Sequence, residues 1–241
     1  MRVLVVENYD EMSKKAASMV ASQVILKPDS ILGLATGDTP LGLYKELIRL
    51  YREQLVSFKE VKSFNLDEYL GLSKDNEQSY HYYMMENLFK HIDMNLENIN
   101  IPDGMAENIE EECIRYEKKI AEACGIDMQV LGIGTNGHIG FNEPDIKFEA
   151  ETHLVNLDEE TIEVNSRFFQ SIGEVPTQAL SMGIKTIMHS KKVILLAYGI
   201  GKADAIAKTI RGKITPDLPA SILQLHRDVT IIMDKAAASK L

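Results

Sequence analysis

Six short apolar runs recur along the chain, and this recurrence constrains the fold more than any other feature. They lie at 2–6, 30–35, 61–66, 127–134, 192–199 and 229–234. Most are hydrophobic on both faces, as in "KVILLAYG" and "VTIIMD", which is typical of parallel strands covered by helices on each side. Crossover helices fit the segments between them, at 10–26, 40–55, 77–92, 107–124 and 201–211. The sequence predicts a doubly wound α/β fold, a Rossmann-like three-layer sandwich with a mostly parallel sheet.

The length of 241 residues fits one α/β domain with a full core, so we expect a single domain over 1–241. Residues 144–180 contain few strand-like runs and many charges. Long excursions of this kind in compact domains often cover active sites. We therefore expect a mobile lid at about 144–180.

Composition and charge exclude several classes of partner. No apolar run approaches the ~18 residues that a membrane span needs, so no membrane partner is expected. The formal charge is −10 without a basic cluster, which argues against a nucleic-acid partner. The apolar run in the start "MRVLVVENYDEM" is too short for the core of a signal peptide, so we expect the protein to be in the cytoplasm. Any anionic ligand must then be held by a few local groups.

The stretch "GIGTNGHIGFNEP" at 132–144 surrounds one histidine with glycines. Glycine lets a ligand approach the main chain closely, and histidine titrates near neutral pH. Asn136 and Glu143 stand close to His138 in the chain, so we expect a histidine oriented by a carboxylate. A lone histidine is more often structural. Zinc is a second alternative, although no other histidine or cysteine stands nearby at ligand spacing.

The loop "TGDTPLG" follows the second predicted strand and holds Thr36, Gly37, Asp38 and Thr39 before Pro40. Ligands of doubly wound sheets bind outside the carboxyl ends of the strands. Free N–H groups at a helix start, together with threonine hydroxyls, can form a small anion site. The alternative is an ordinary capped helix start.

Two acids, Asp67 and Glu68, follow the third predicted strand in "FNLDEYLG". Two carboxyl groups at the end of a strand indicate a general base beside a ligand, and partial shielding from water would tune such a base. A helix cap is the alternative for either acid.

Two cations stand in or near the predicted site loops. Arg167 lies in the expected lid, within "NSRFF", and Lys202 follows the fifth predicted strand. Either could be a solvated surface charge. If the ligand carries a phosphate, arginine would grip it in a fork and lysine would supply a point charge.

Taken together, these motifs resemble those of the glucosamine-6-phosphate deaminases, which convert glucosamine 6-phosphate and water to fructose 6-phosphate and ammonia. The similarity runs over about residues 1 to 235. It is carried, in order, by "LATGDTPLGLYKEL", "SFNLDEYLGL", "GIGTNGHIGFNEP", "VNSRFF", "ALSMGIKTI" and "ILQLH". Six motifs in the same order make the resemblance specific.

The resemblance implies a role for each motif. The acid matching Asp67 carries a proton between carbons 2 and 1 of the opened sugar. The match to His138 opens the pyranose ring, and Glu143 orients it. Many members have aspartate where Asn136 stands, so the pH optimum can differ here. The phosphate would rest on residues 36–39, Arg167 and Lys202, and we expect no cofactor and no metal.

Two alternatives share the implied fold. A 6-phosphogluconolactonase would have a loop resembling DGHTASLFP and a strand ending in DER, whereas this chain has "NGHIGFNEP" and "DEY". A non-catalytic sugar-phosphate sensor would need a DNA-binding segment, but the sequence starts directly with its first strand. Regulated hexameric members have a longer carboxyl end than one that stops at Leu241. We therefore expect a monomer that acts on a small sugar phosphate.

Overall fold

A computed structural model of the chain describes residues 1–158, 161–163, 166, 169 and 171–241. The strands in these residues are β1 Arg2–Val6, β2 Ile31–Leu34, β3 Lys62–Asn65, β4 Asp67–Tyr69, β5 Ile99–Asn100, β6 Met128–Leu131, β7 His153–Asn156, β8 Gln178–Ser181, β9 Lys192–Ala197 and β10 Val229–Asp234. The α-helices are α1 Tyr9–Leu26, α2 Leu41–Arg52, α3 Tyr80–Asn87, α4 Ile109–Glu122, α5 Ile184–Met188 and α6 Ala203–Arg211. Short 3-10 turns cover Phe89–His91, Leu96–Asn98, Ile172–Glu174, Ile200–Lys202 and Pro219–Leu225.

Seven strands form one parallel sheet in the order β1-β10-β9-β6-β2-β3-β5. Alternate residues of its strands enter different cores. Leu32 and Leu34 of β2 pack with α1, α2 and α3, whereas Ile31 packs with α4, α5 and α6 on the other face. The central strands β2, β6, β9 and β10 are buried on both faces and largely apolar, as the sequence indicates, whereas the edge strand β1 is mostly exposed. The predicted three-layer α/β fold is confirmed.

Local signals in the sequence explain where the helices begin. Asn8, Ser79 and Asn108 are the N-caps of α1, α3 and α4, and each side chain accepts a hydrogen bond from a backbone N–H of the first turn. Such caps satisfy donors that the helix itself cannot. Helix α2 starts one residue later than expected, because Pro40 is its N-cap and Leu41 its first residue.

The six predicted strands correspond to β1, β2, β3, β6, β9 and β10. The predicted helical segments contain α2, α3, α4 and α6, and the segment 10–26 matches α1 except that the helix begins one residue earlier, at Tyr9. The sequence-based interpretation missed a second sheet, which is antiparallel and has the order β4-β8-β7. It also missed β5 and α5. Strand β7 and most of β8 lie within 144–180, so this segment contributes two short strands that its sequence did not reveal. The mobility of this segment stays a prediction.

Among the described residues, none of the helices combines the length and apolar character that crossing a bilayer requires.

Candidate active site

A cleft opens at the carboxyl ends of three neighbouring strands. Strands β6, β2 and β3 are adjacent in the sheet, and the three loops singled out in the sequence follow them directly. The cleft has a volume of about 890 Å³, including open solvent at its mouth. Its walls include Thr36, Gly37, Asp38, Thr39, Asp67, Tyr80, Thr135, His138, Phe141, Thr161 and Lys202. The fold therefore brings together most of the predicted site residues.

A carboxylate behind the cleft wall orients the histidine. The Nδ1 atom of His138 lies 3.0 Å from Oε2 of Glu143. The amide of Asn136 donates to the same carboxylate oxygen at 2.8 Å, and its carbonyl oxygen accepts from the backbone N–H of His138 at 3.1 Å. Thr161 donates to the other oxygen, Oε1, at 2.6 Å. Asn136 thus supports both partners of the histidine–carboxylate pair and contributes no charge.

The surroundings keep Glu143 ionised. Burial raises the pKa of its carboxyl group. The hydrogen bond and charge of His138 and the donors on Thr161 and Asn136 together lower this pKa by more than burial raises it, so the net pKa lies below the ordinary value. An ionised carboxylate beside Nδ1 fixes the proton on that nitrogen. The other ring nitrogen, Nε2, is then left as an acceptor.

The glycine at 134 makes room for the histidine ring. A Cβ atom at Gly134 would stand 2.4 Å from the ring atoms Cε1 and Nδ1 of His138, closer than real contacts allow. The side chain of Asn142 holds the loop that surrounds the histidine. It donates to the carbonyl oxygens of Ile139 and Met182 at 2.9 and 2.8 Å. The ring therefore packs directly on a backbone that is itself tied to the end of β8.

Asp67 begins β4 and is 6% exposed. Among the described residues its carboxyl group takes part in no hydrogen bond that would offset this burial. Burial raises the pKa of Asp67 to about 8, and the nearby charge of Glu68 adds to the effect. Its Oδ2 atom lies 3.7 Å from the point where a Cβ of Gly140 would stand, beside the His138 loop. When ionised, this carboxylate is a strong base close to the histidine.

The neighbouring acid, Glu68, has a structural position. Its carboxylate accepts from the backbone N–H groups of Tyr69, Tyr80 and His81, each at 2.9 Å. Burial raises the pKa of Glu68 to about 7, although these three donors act in the opposite direction. Of the two interpretations that the sequence left open, the helix cap applies to Glu68, which anchors the start of α3.

The structure also shows what the sequence-based interpretation missed. Tyr80 and Thr161 both line the cleft, and Tyr80 is in side-chain hydrogen-bond contact with Thr36. Neither residue belongs to a motif with a chemical signature, and only the fold brings them to the site. Asn136 and Glu143 lie behind the cleft wall. The predicted phosphate ligand Arg167 lies outside the described residues.

Zinc was one alternative for the histidine loop. Within the described part of the chain, no group of three or more histidine, cysteine, aspartate or glutamate side chains is arranged to hold a metal ion. Hydrogen bonds to Asn136 and Thr161 account for the surroundings of the His138–Glu143 pair.

The family follows from comparison with known proteins. The family described as glucosamine-6-phosphate isomerases/6-phosphogluconolactonase matches residues 7–232. The chain belongs to this family.

Individual relatives cover its whole length. A glucosamine-6-phosphate deaminase of Clostridium botulinum (strain Langeland) is 68% identical over 241 residues, which are 100% of this chain and 99% of the relative. One from Clostridium acetobutylicum is 65% identical and fully covered.

Solved structures agree with this placement. A monomeric glucosamine-6-phosphate deaminase superposes with a TM-score of 0.98 at 48% identity, with complete coverage of both chains. A 6-phosphogluconolactonase from Leishmania guyanensis has a TM-score of 0.78 at 22% identity, and the match covers 100% of this chain and 98% of the other. The second comparison shows that the fold is shared and carries no information on the reaction.

Proposed function

We propose that the protein is a glucosamine-6-phosphate deaminase, which converts glucosamine 6-phosphate and water to fructose 6-phosphate and ammonia. The observation that carries the proposal is one cleft that holds a buried acid, Asp67, and an oriented imidazole, His138, beside the Thr36–Thr39 loop. The deaminases named above, at 65% and 68% identity over the full chain, support the same assignment.

His138 opens the sugar ring. Because Glu143 accepts from Nδ1, the Nε2 atom takes the proton of the anomeric hydroxyl and returns it to the ring oxygen. The product is the open-chain amino aldehyde. Glu143 stabilises the imidazolium that forms between the two proton transfers.

Asp67 then performs the aldose–ketose shift. Its carboxylate removes the proton from carbon 2 of the substrate, whose amine is protonated, and a proton of this ammonium group passes to the oxygen on carbon 1, which gives a neutral enolamine. Asp67 then delivers its proton to carbon 1, which gives an iminium at carbon 2. Water adds to this carbon and ammonia leaves. The raised pKa of Asp67, about 8, suits a group that must both accept and release a proton near neutral pH.

The phosphate would be bound by the Thr36–Thr39 loop and Lys202, with Arg167 as a further ligand by family resemblance. The backbone N–H groups of the loop would direct hydrogen bonds at the phosphate. Lys202, which lines the same cleft, would supply a positive charge. We infer that the protein acts as a monomer, as the similar solved deaminase is described. Its substrate is charged and crosses bilayers poorly, so we place the reaction in the cytoplasm.

Ammonia release from the purified protein supplied with glucosamine 6-phosphate tests the proposal. Unphosphorylated glucosamine should be a very poor substrate. The Asp67→Asn variant should bind the substrate within a few-fold but lose roughly 10²–10⁴ in rate, the usual cost of removing a general base. Hydrolysis of 6-phosphogluconolactone without ammonia release would identify a lactonase instead. Tight binding without any turnover would identify a sensor.

A further inference from the structure

Three tyrosines, one from each of the helices α1, α2 and α3, reach the backbone of the loop that follows β2. Tyr83 donates its hydroxyl hydrogen to the carbonyl oxygen of Gly37 at 2.6 Å, and Tyr9 donates to that of Asp38 at 2.8 Å. Tyr44, which is fully buried, donates to the carbonyl oxygen of Ala35. The three hydroxyls therefore hold three of four consecutive carbonyl groups.

The direction of these carbonyl groups fixes the direction of the amides. In a trans peptide the C=O and N–H bonds point to opposite sides. The carbonyls of Ala35, Gly37 and Asp38 point towards the helices that carry the tyrosines. The N–H groups of the same three peptides belong to the next residues, namely Thr36, Asp38 and Thr39. All three of these residues line the cleft. The tyrosines thus turn three amide donors towards the ligand side of the loop.

On these grounds we propose that Tyr9, Tyr44 and Tyr83 are positioning residues for phosphate binding, which they achieve by presetting the amides of the Thr36–Thr39 loop. The inference rests on the proposed function, because it assigns the substrate phosphate to this loop. None of the three hydroxyls needs to touch the substrate. Without them the peptides can rotate, and ordering them again on binding lowers the affinity.

Two further observations support the assignment. Gly37 has a φ of +93°, which glycine adopts without strain and other residues rarely adopt, so its own residue type permits the turn that the hydroxyls hold. Tyr9 also accepts from the backbone N–H of Gly42 at 2.8 Å, so that one hydroxyl ties the loop to the first turn of α2. Burial raises the pKa of all three hydroxyls, which therefore stay protonated and can donate at any physiological pH.

The test uses Tyr83→Phe, Tyr9→Phe and the double variant, with Tyr44 left intact because its hydroxyl is fully buried and the loss of its hydrogen bond would destabilise the fold. Tyr51→Phe is the matched control: it lies on α2 beside the same core, and its hydroxyl bonds to no loop carbonyl among the described residues. Binding of inorganic phosphate is measured by calorimetry and as competitive inhibition. The KM and kcat for glucosamine 6-phosphate are measured on the same samples.

Each single variant should bind inorganic phosphate about three- to tenfold more weakly, the effect of one hydrogen bond, and the double variant more weakly still. KM should rise by the same factor, kcat should stay within about twofold, and Tyr51→Phe should match the unsubstituted protein. Unchanged phosphate affinity in the double variant overturns the inference. So does an equal loss in Tyr51→Phe, or a lower kcat at unchanged affinity.

Phosphate binding does not require turnover, which separates this test from that of the proposed function. A protein whose phosphate affinity depends on these tyrosines but that releases no ammonia would refute the deaminase assignment and leave the inference intact. Ammonia release by the unsubstituted protein, together with normal phosphate affinity in the double variant, would refute the inference and leave the deaminase assignment intact. If the unsubstituted protein does not bind inorganic phosphate by either measurement, the inference is also refuted.

Discussion

The His138 loop (residues 132–143) and the Thr36–Thr39 loop line the same cleft, but they are held in place by different interactions. His138 is oriented by an ionised carboxylate, and the Glu143 side chain is itself held by Asn136 and Thr161. The Thr36–Thr39 loop is held by neutral tyrosine hydroxyls that donate to its backbone. One loop depends on charge, whereas the other depends on uncharged hydrogen bonds.

This difference separates the two tasks of the site. A group that moves protons must lie near its own titration range, and the carboxylate that orients it here, Glu143, is itself ionisable and responds to pH. A loop that only binds a phosphate gains nothing from titrating, and hydroxyls with raised pKa values keep its geometry constant. Substitutions in the first loop should therefore change rates and pH profiles, and those in the second should change affinity.

Replacement of His138 should have the largest effect. His138→Gln keeps a polar side chain but removes the imidazole that we propose exchanges protons with the ring oxygen, so kcat for the closed sugar should fall by roughly 10²–10⁴. An open-chain substrate analogue should recover part of the rate. Equal losses on closed and open forms would show that the histidine does more than open the ring.

The next prediction concerns Asp67, a buried carboxyl group that belongs to neither loop. A carboxyl whose pKa is raised in the fold stabilises the protein fully below its unfolded pKa and loses this contribution as the pH rises through the folded value. For Asp67 the window runs from 3.8 to about 8. Across it, the free energy of unfolding of the unsubstituted protein should fall relative to Asp67→Asn, by up to a few kcal/mol.

Urea denaturation at a series of pH values measures this difference. Asp75→Asn, at an exposed position, is the control and should run parallel to the unsubstituted protein. A constant difference between Asp67→Asn and the unsubstituted protein at every pH would contradict the raised pKa.

Lys202 distinguishes affinity from rate at the phosphate end of the cleft. A charge-assisted contact is worth roughly 1.5–3 kcal/mol, so Lys202→Ala should raise KM for glucosamine 6-phosphate about ten- to a hundredfold and leave kcat little changed. Lys208→Ala, exposed on α6, is the matched control. If both variants had the same modest effect, Lys202 would be an ordinary surface cation.

The smallest expected effect is a shift of the pH profile. Asn136 donates to Glu143, whose net pKa is lowered and whose orienting charge is lost only as the pH falls. Asn136→Asp would place a second carboxylate there and raise the pKa of Glu143, so the acid limb of kcat/KM should move upward by about one pH unit. Asn136→Ala, which removes the donor to Glu143 and the acceptor of the His138 backbone N–H but adds no charge, should move it less. An unchanged limb in Asn136→Asp would contradict this arrangement.

The sequence revealed the central strands β2, β6, β9 and β10 of the large sheet because they are buried on both faces and therefore largely apolar. Strands β4, β7 and β8 read "DEY", "HLVN" and "QALS", too short and polar for a hydrophobic pattern to identify. Their pairing comes from tertiary contacts, which override local propensity. The second sheet was missed for this reason.

The same limit applies to the site. The glycines around His138 and the acids after β3 stand in compact motifs, and the sequence-based interpretation found them. Tyr83 lies inside a helix, where an aromatic residue ordinarily indicates core packing, and only the folded chain shows which carbonyl its hydroxyl reaches. Thr161 likewise gains its role from the distant Glu143.

The pairing of Asp67 with Ser181, on β4 and β8, has a consequence for the order of synthesis. A ribosome releases the Thr36–Thr39 loop, Asp67 and His138 well before it releases β8. Until then the strand that carries the base has no neighbour in its own sheet, and closing so long a loop carries an entropic cost. The nascent chain can therefore pair β6, β2, β3 and β5 of its large sheet early, whereas the pairing around Asp67 waits for β8, and β9 and β10 follow only after that.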